Sequence, residues 1–307
     1  MDTSQTSSTV FFENLIEHLH DAIIFLDTDK KILLWNRGAE ETSGFLKPEI
    51  IGKKCFENIL IQSDGGVLKV CKTSCPVEKT FRDGQERIYD AYLQHKEGFR
   101  LPVTLHVLPI FDRERNVIGA VETFHDTSPK IIIPQKMEEL KRMNLLDPHT
   151  ELANRKYLEI QLKLRLEEMN RHKLPLGILL VDIDHFSKFN EVHGKEVGDK
   201  VLRMVSRTLS NNIRFFDVIG YWEGGRFLIL VFNINESKLD LVANKLRLLV
   251  SQSSIQIEAK LLGVTVSIGA AVALLRDNSA SLICKTENLL KTSKKHGGNR
   301  VSSRIME

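Results

Sequence analysis

The sequence predicts a mixed α/β (α+β) chain of two domains, and three observations carry that expectation. The length, 307 residues, is about twice that of an ordinary domain. Residues 22–125 read as two strands, several short helices and three longer strands. Further on, an apolar strand runs into a polar turn and an amphipathic helix, and two apolar runs then meet at a glycine pair.

Composition is that of an ordinary globular chain, with 42% hydrophobic and 27% charged residues. A net charge of +3 gives no electrostatic case for nucleic acid. No apolar run approaches the ~20 residues of a membrane helix, and Met1-Asp-Thr-Ser-Gln-Thr-Ser-Ser has neither a basic nor an apolar leader region. A cytoplasmic protein with no membrane partner is therefore expected. The expected divisions are a flexible stretch 1–9, a first domain 10–128, a linker 129–146 and a second domain 147–307. Pro129 and Pro134 interrupt helix at the boundary. After them Met137, Leu140 and Asn144 or Leu145 fall at helical spacing. That short helix either packs on its neighbour or pairs across a dimer.

In the first domain, residues 11–20 read as an amphipathic helix, and Ala22–Asp27 and Lys31–Trp35 as strands around an Asp-Thr-Asp turn. Short helices follow from Asn36, and Glu86–Gln94, Phe99–Phe111 and Val117–His125 are the longer strands. This order, with Trp35-Asn-Arg-Gly-Ala-Glu40, resembles a PAS sensor domain. The resemblance implies an antiparallel five-stranded sheet with helices. No cysteine stands in the Asn-Cys-Arg context of a photoreactive flavin domain, and Val77–Arg82 has no histidine to hold haem. His95 and His106 read as core or surface imidazoles. The sequence does not name the ligand of this domain. Cys55, Cys71 and Cys75 read either as inert thiols or as a redox pair or a metal site, although thiolate metal sites usually use four ligands.

In the second domain, Asp217–Phe232 reads as a β-hairpin whose turn contains Glu223-Gly-Gly-Arg-Phe227. Leu179-Leu-Val-Asp-Ile-Asp-His-Phe-Ser-Lys-Phe-Asn190 leads into Glu191-Val-His-Gly-Lys-Glu-Val-Gly-Asp199. Asp147-Pro-His-Thr-Glu-Leu-Ala-Asn-Arg155 precedes these blocks, and Lys294-Lys-His-Gly-Gly-Asn-Arg-Val301 closes the series. The four blocks together resemble the GGDEF (diguanylate cyclase) family, which implies a nucleotidyl-cyclase-like central sheet flanked by helices and a role in bacterial signalling.

The resemblance also implies site residues. Asp182 and the Ile183 carbonyl would hold Mg²⁺, Asn190 and Asp199 would read guanine, and Lys294 and Arg300 would bind phosphate. The pair Arg214 and Asp217 matches an inhibitory Arg-x-x-Asp site for cyclic di-GMP, where an arginine fork suits a guanine edge. Several departures stand against catalysis. Glu223 replaces the family's first Gly, Gly225 its metal-binding acid and Arg226 its Glu. Ser187 replaces a phosphate-binding Lys, Gly298 an Arg, Glu151 a Gly, and Tyr221 an Arg often found beside the inhibitory site. Mg²⁺ is therefore expected to bind weakly, since it needs carboxylates in tight geometry. Two fates are open to Arg226, binding a phosphate or pairing with Asp182.

The function expected is a signalling protein without cyclase activity that binds cyclic di-GMP, with the PAS domain modulating its output. A homodimer and a downstream protein partner are expected with it. Two alternatives remain. One is a weak diguanylate cyclase using GTP and metal on Asp182 and Asp184. The other is a PAS-controlled interaction module that binds GTP or no nucleotide.

Overall fold

The computed structural model describes residues 11–55, 60–64, 67–70, 75–128, 143–258 and 260–303, with the backbone alone for 60–64 and 67–70. The chain divides into two units, Met1–Ser128 and Pro129–Glu307. Cys71 and most of the expected linker helix lie outside the described residues.

The first unit opens with a helix over residues 11–17. The strands β1 (Ala22–Asp27), β2 (Ile32–Trp35), β3 (Leu60–Asp64), β4 (Val67–Val70), β5 (Arg87–Gln94), β6 (Arg100–Phe111) and β7 (Val117–Asp126) form one sheet in the order β2-β1-β7-β6-β5-β3-β4. All its pairings are antiparallel. The five expected strands are present. The hairpin β3–β4 adds two more, in a segment whose apolar and polar residues give only a short alternation.

Alternation along β1 puts Ala22, Ile24 and Leu26 inward, where they join Leu105, Val107 and Phe124 in the core. Asn36 explains why the chain turns after β2. It is fully buried, and its Oδ1 accepts from Ile23 N and caps the helix Arg37–Ser43 through Ala39 N. Its Nδ2 donates to the carbonyls of Ile16 and Asp21. Gly38 is required beside it, because a Cβ there would lie 2.5 Å from the Asp21 carbonyl oxygen.

In the second unit, β8 (Leu176–Ile183), β9 (Val218–Glu223), β10 (Arg226–Phe232), β13 (Val266–Val272) and β14 (Val301–Ser302) form the sheet β14-β13-β8-β10-β9. The strands β11 (Ser254–Ile257) and β12 (Lys260–Gly263) make a separate hairpin. Every residue of the central β8 is buried, which accounts for its unbroken apolar reading. Leu158, Leu162 and Leu166 of the helix Arg155–His172 pack in the same core as Leu282 and Leu289 of the helix Ser279–Lys295. Each such leucine contributes about 2 kcal/mol of apolar burial.

Among the described residues, no helix is long and apolar enough to cross a membrane.

Candidate functional site

The end of β8, the β9–β10 turn and the end of the helix Ser279–Lys295 meet at Asp182. Register brings Arg226 of β10 opposite Asp182, and Arg226 opposite Glu223 across the hairpin. Gly224 and Gly225 form the turn, with φ of 55° and 86°. Both angles fall in the left-handed region that favours glycine. A Cβ on Gly225 would lie 2.7 Å from Cδ1 of Phe186, so that ring occupies the space a carboxylate would need. Tyr221, which could have stacked on a base, instead turns to the hairpin. Its hydroxyl accepts from Gly225 N, and its ring meets Phe227 edge-on.

Asp182 is buried, and its carboxylate has two cationic partners. Arg226 Nε donates to its Oδ2 at 2.9 Å, and Lys294 Nζ lies 2.7 Å from the same oxygen. The ion pairs continue outward. Arg226 reaches Glu223 at 3.6 Å, Glu223 accepts from Arg155 at 2.8 Å, and Arg155 lies over the Trp222 ring. Asp184 is also committed. Its Oδ1 accepts from Ser267 Oγ, and its Oδ2 from Thr265 Oγ1 and Asn299 N. The residues present do not fit a divalent cation. The best-placed carboxylate carries a guanidinium and an ammonium partner, the next is spent on hydroxyls and backbone, and Gly225 offers none.

A cavity of about 580 Å³ opens beside this cluster, lined by Ile183, Ser187, Lys188, Arg226 and Lys294 among others. Arg300 is exposed and donates to the His296 carbonyl. Lys294, expected to bind phosphate, is thus drawn to the expected metal ligand, while Arg300 stays on the surface.

The two expected guanine readers lie on consecutive helices, Asn190 on Phe186–His193 and Asp199 on Lys195–Ser210. Asn190 is half-buried, and its Oδ1 has no hydrogen-bond partner among the described residues. That oxygen lies where a Cβ on Gly198 would stand, 1.8 Å from the ideal position. Asp199 lies 4.0 Å from His149 Nδ1, a neighbour in the first block that motif reading did not connect with it. The first block is held by Asp147, which accepts from Thr150 N and Thr150 Oγ1. Glu151, standing where a glycine was expected, has φ of 58°.

Arg214 and Asp217 differ sharply in exposure. Asp217 is 5% exposed, and its two oxygens accept from Arg214 N and Phe232 N. Burial raises its pKa above the usual carboxylate value. It holds the turn, whereas Arg214 is exposed beside Phe215 and Phe216, which are 67% and 50% exposed. The Arg214 guanidinium lies 5.8 Å from the Phe216 ring centroid. The two phenylalanines were missed because Arg-x-x-Asp says nothing about the positions between its ends.

In the first unit, Cys55 and Cys75 are buried, and neither is in a disulfide. Burial pushes the Cys75 thiol up, which disfavours the reactive thiolate. No cluster of metal-ligating side chains occurs among the described residues. His95 stacks on Phe99, and His106 is half-buried on β6. A further group was not anticipated. Glu122 of β7 is 2% exposed, and its Oε2 has no hydrogen-bond partner among the described residues. Burial raises its pKa to about 7.

Comparison with known proteins agrees with this division. Residues 144–300, half of the chain, match the family described as "Diguanylate cyclase, GGDEF domain", and residues 11–127 match the PAS fold. The chain is 28% identical over 172 residues to diguanylate cyclase DosC of Escherichia coli, a match covering 55% of this chain and 37% of DosC. It is 30% identical over 272 residues to the response regulator PleD of Caulobacter vibrioides, covering 79% of this chain and 60% of PleD. The chain therefore spans less than two thirds of the length of either relative. Among solved structures, the coiled coil and GGDEF domain of DgcB from Caulobacter crescentus, in complex with c-di-GMP, matches with a TM-score of 0.52. That match is 25% identical and covers 55% of this chain and 91% of the DgcB chain.

Proposed function

The chain belongs to the diguanylate cyclase GGDEF family, with a PAS fold ahead of that domain, and from this premise we propose that it reads cyclic di-GMP and does not make it. The observation that carries the reading is the position of Arg226 and Lys294 on Asp182, at 2.9 and 2.7 Å. Joining two GTP molecules requires metal and positioned phosphates, because catalysis of phosphoryl transfer rests on electrostatics and positioning. Here two protein cations occupy the carboxylate that would anchor the metal. Mg²⁺ at that oxygen would have to displace both cations or sit beside them against like charge, which weakens metal binding there.

The binding half of the proposal rests on Arg214. Its exposed guanidinium can donate bidentately to a guanine edge. Phe215 and Phe216 offer rings on which a base can stack, and Asp217 holds the turn that presents all three. The PAS domain would modulate the output, through a homodimer or a protein partner.

Calorimetric titration of nucleotide-stripped protein with cyclic di-GMP tests this. The wild type should bind with about −8 kcal/mol or better, a low-micromolar Kd. Arg214→Ala should abolish the binding while leaving the unfolding transition in place. Equal affinity in the variant would exclude this turn as the site.

A further inference from the structure

The second unit has an apolar end far from Asp182. Phe232 pairs with Leu176 and Val272 with Gly177, so β10 and β13 leave the sheet where β8 enters it. Leu230 pairs with Val218, and Phe232 N donates to Asp217 Oδ1, so the Arg214–Asp217 turn stands at this end too. Asp182 lies near the other end of β8, about 20 Å along the strand.

Five large apolar side chains are exposed here. The Ala273 N–H donates to the Leu176 carbonyl at 2.8 Å, so Leu274 and Leu275 leave the sheet next to Pro175 and Leu174. Leu174 is 53% exposed, Leu274 45% and Leu275 62%. Across the sheet, Phe215 and Phe216 extend the row on the β9 side. Asp277 fixes the leucine turn. Its N–H donates to the Leu274 carbonyl at 2.9 Å, and its Oδ2 accepts from Leu274 N at 2.8 Å. The leucines are thus held in water, and an apolar row of this kind marks a surface that meets a partner.

Charge identifies the partner. Arg171 and Lys173 precede Leu174, Arg276 follows Leu275 and Arg214 precedes Phe215, all four cations exposed. The helices Glu236–Ser251 and Ser279–Lys295 begin at this end, and their positive dipole ends outnumber the one negative end, that of Arg155–His172. Against these stand Glu236 and Asp277, and the Asp277 carboxylate is turned back on Leu274 N and Ser281 Oγ. Apolar tips ringed by Arg and Lys fit a boundary with apolar depth beneath anionic groups. A partner helix would need a groove to lie in, whereas these side chains stand on turns past the strand ends.

We infer that this end of the second unit docks on an anionic lipid bilayer. The leucines and phenylalanines enter the headgroup boundary, and the cations rest against the lipid phosphates. Surface attachment needs no spanning helix, so it suits the apolar runs of this chain while departing from the expectation of no membrane partner.

The experiment is co-sedimentation of the full chain with phosphatidylcholine vesicles made with and without phosphatidylglycerol, at low and high salt. The wild type should sediment with the anionic vesicles, and less so at high salt. Leu274→Ser combined with Leu275→Ser should lower the partition coefficient about tenfold at either salt. Lys173→Gln combined with Arg276→Gln should lower it about tenfold at low salt and little at high salt. In Leu275→Trp, the emission should shift to the blue when anionic vesicles are added, because Trp35 and Trp222 are already buried.

Wild type left in the supernatant would overturn the inference, as would equal binding to neutral vesicles. A leucine variant that sediments like the wild type, or an unshifted emission in Leu275→Trp, would overturn it as well. The leucine variant should unfold in urea as the wild type does, since the replaced side chains lie outside the core. The reading of cyclic di-GMP fails separately, because it is lost with Arg214→Ala and does not use the leucines.

Discussion

Each unit buries one carboxylate at a central strand, and the two are treated in opposite ways. Asp182, next to last in β8, carries Arg226 and Lys294 on a single oxygen. Glu122 sits on β7 between β1 and β6, and among the described residues its Oε2 has no partner. Burial alone favours the neutral acid, and nearby cations favour the ion. In the second unit a charge is answered by charge. In the first, the acid holds its proton instead, at a pKa of about 7.

The largest effect that would sharpen this contrast is in stability against pH. Because the folded pKa of Glu122 lies above the ordinary 4.5, the folded state holds its proton while the unfolded chain loses it. Stability should fall as pH rises from about 4.5 to about 7, and then level off. With each pKa unit worth ~1.36 kcal/mol, the full penalty is on the order of 3 kcal/mol. Glu122→Gln should remove this pH dependence, gaining most at pH 8 and nothing at pH 4. The chain's two tryptophans, Trp35 and Trp222, are both buried, one in each unit. In a Trp222→Phe background, Trp35 fluorescence in urea therefore reports the first unit by itself. A flat difference across pH would break the comparison from this side.

The next effect comes from taking the answer away from Asp182. Arg226→Ala combined with Lys294→Ala leaves a buried carboxylate alone and should cost about 2 kcal/mol. The figure is discounted because both cations are more than a third exposed. Adding Asp182→Asn should restore most of the loss. Denaturant titration followed by Trp222 reads the cycle, and additive losses would mean the three side chains do not act together.

A smaller effect is expected at the turn. Gly225→Asp returns an acid to the family position, but the backbone there is left-handed and Phe186 fills the space. The substitution should cost about 1–2 kcal/mol and produce no cyclase activity. Cyclic di-GMP formed by that single variant would show that the acid alone was missing.

Much of this was legible in the residues, and the remainder was hidden for identifiable reasons. The hairpin could be read because two apolar runs flank a glycine pair, and β8 because a strand buried on both faces is continuously apolar. The loss of Gly225's side chain was visible as a letter. The pairing of Arg226 with Asp182 was one of two open readings, and the arrival of Lys294 on the same oxygen was not legible, since the three segments lie 44 or more residues apart and meet through register and a helix end. Asp217 was read as a ligand from its spacing, and no side-chain pattern reports that its oxygens also accept from the backbone N–H groups of Arg214 and Phe232. Glu122 did leave a signal that went unread. With Ala120 and Phe124 facing the core, period-two alternation already placed Glu122 between them.

The most direct test of the central claim is incubation of the purified full chain with GTP and Mg²⁺, with chromatography of the products and Asp182→Ala alongside. With Asp182 held by Arg226 and Lys294, no cyclic di-GMP should form in either sample. Cyclic di-GMP formed by the wild type and lost in Asp182→Ala would contradict the account, because Asp182 would then be free to hold metal.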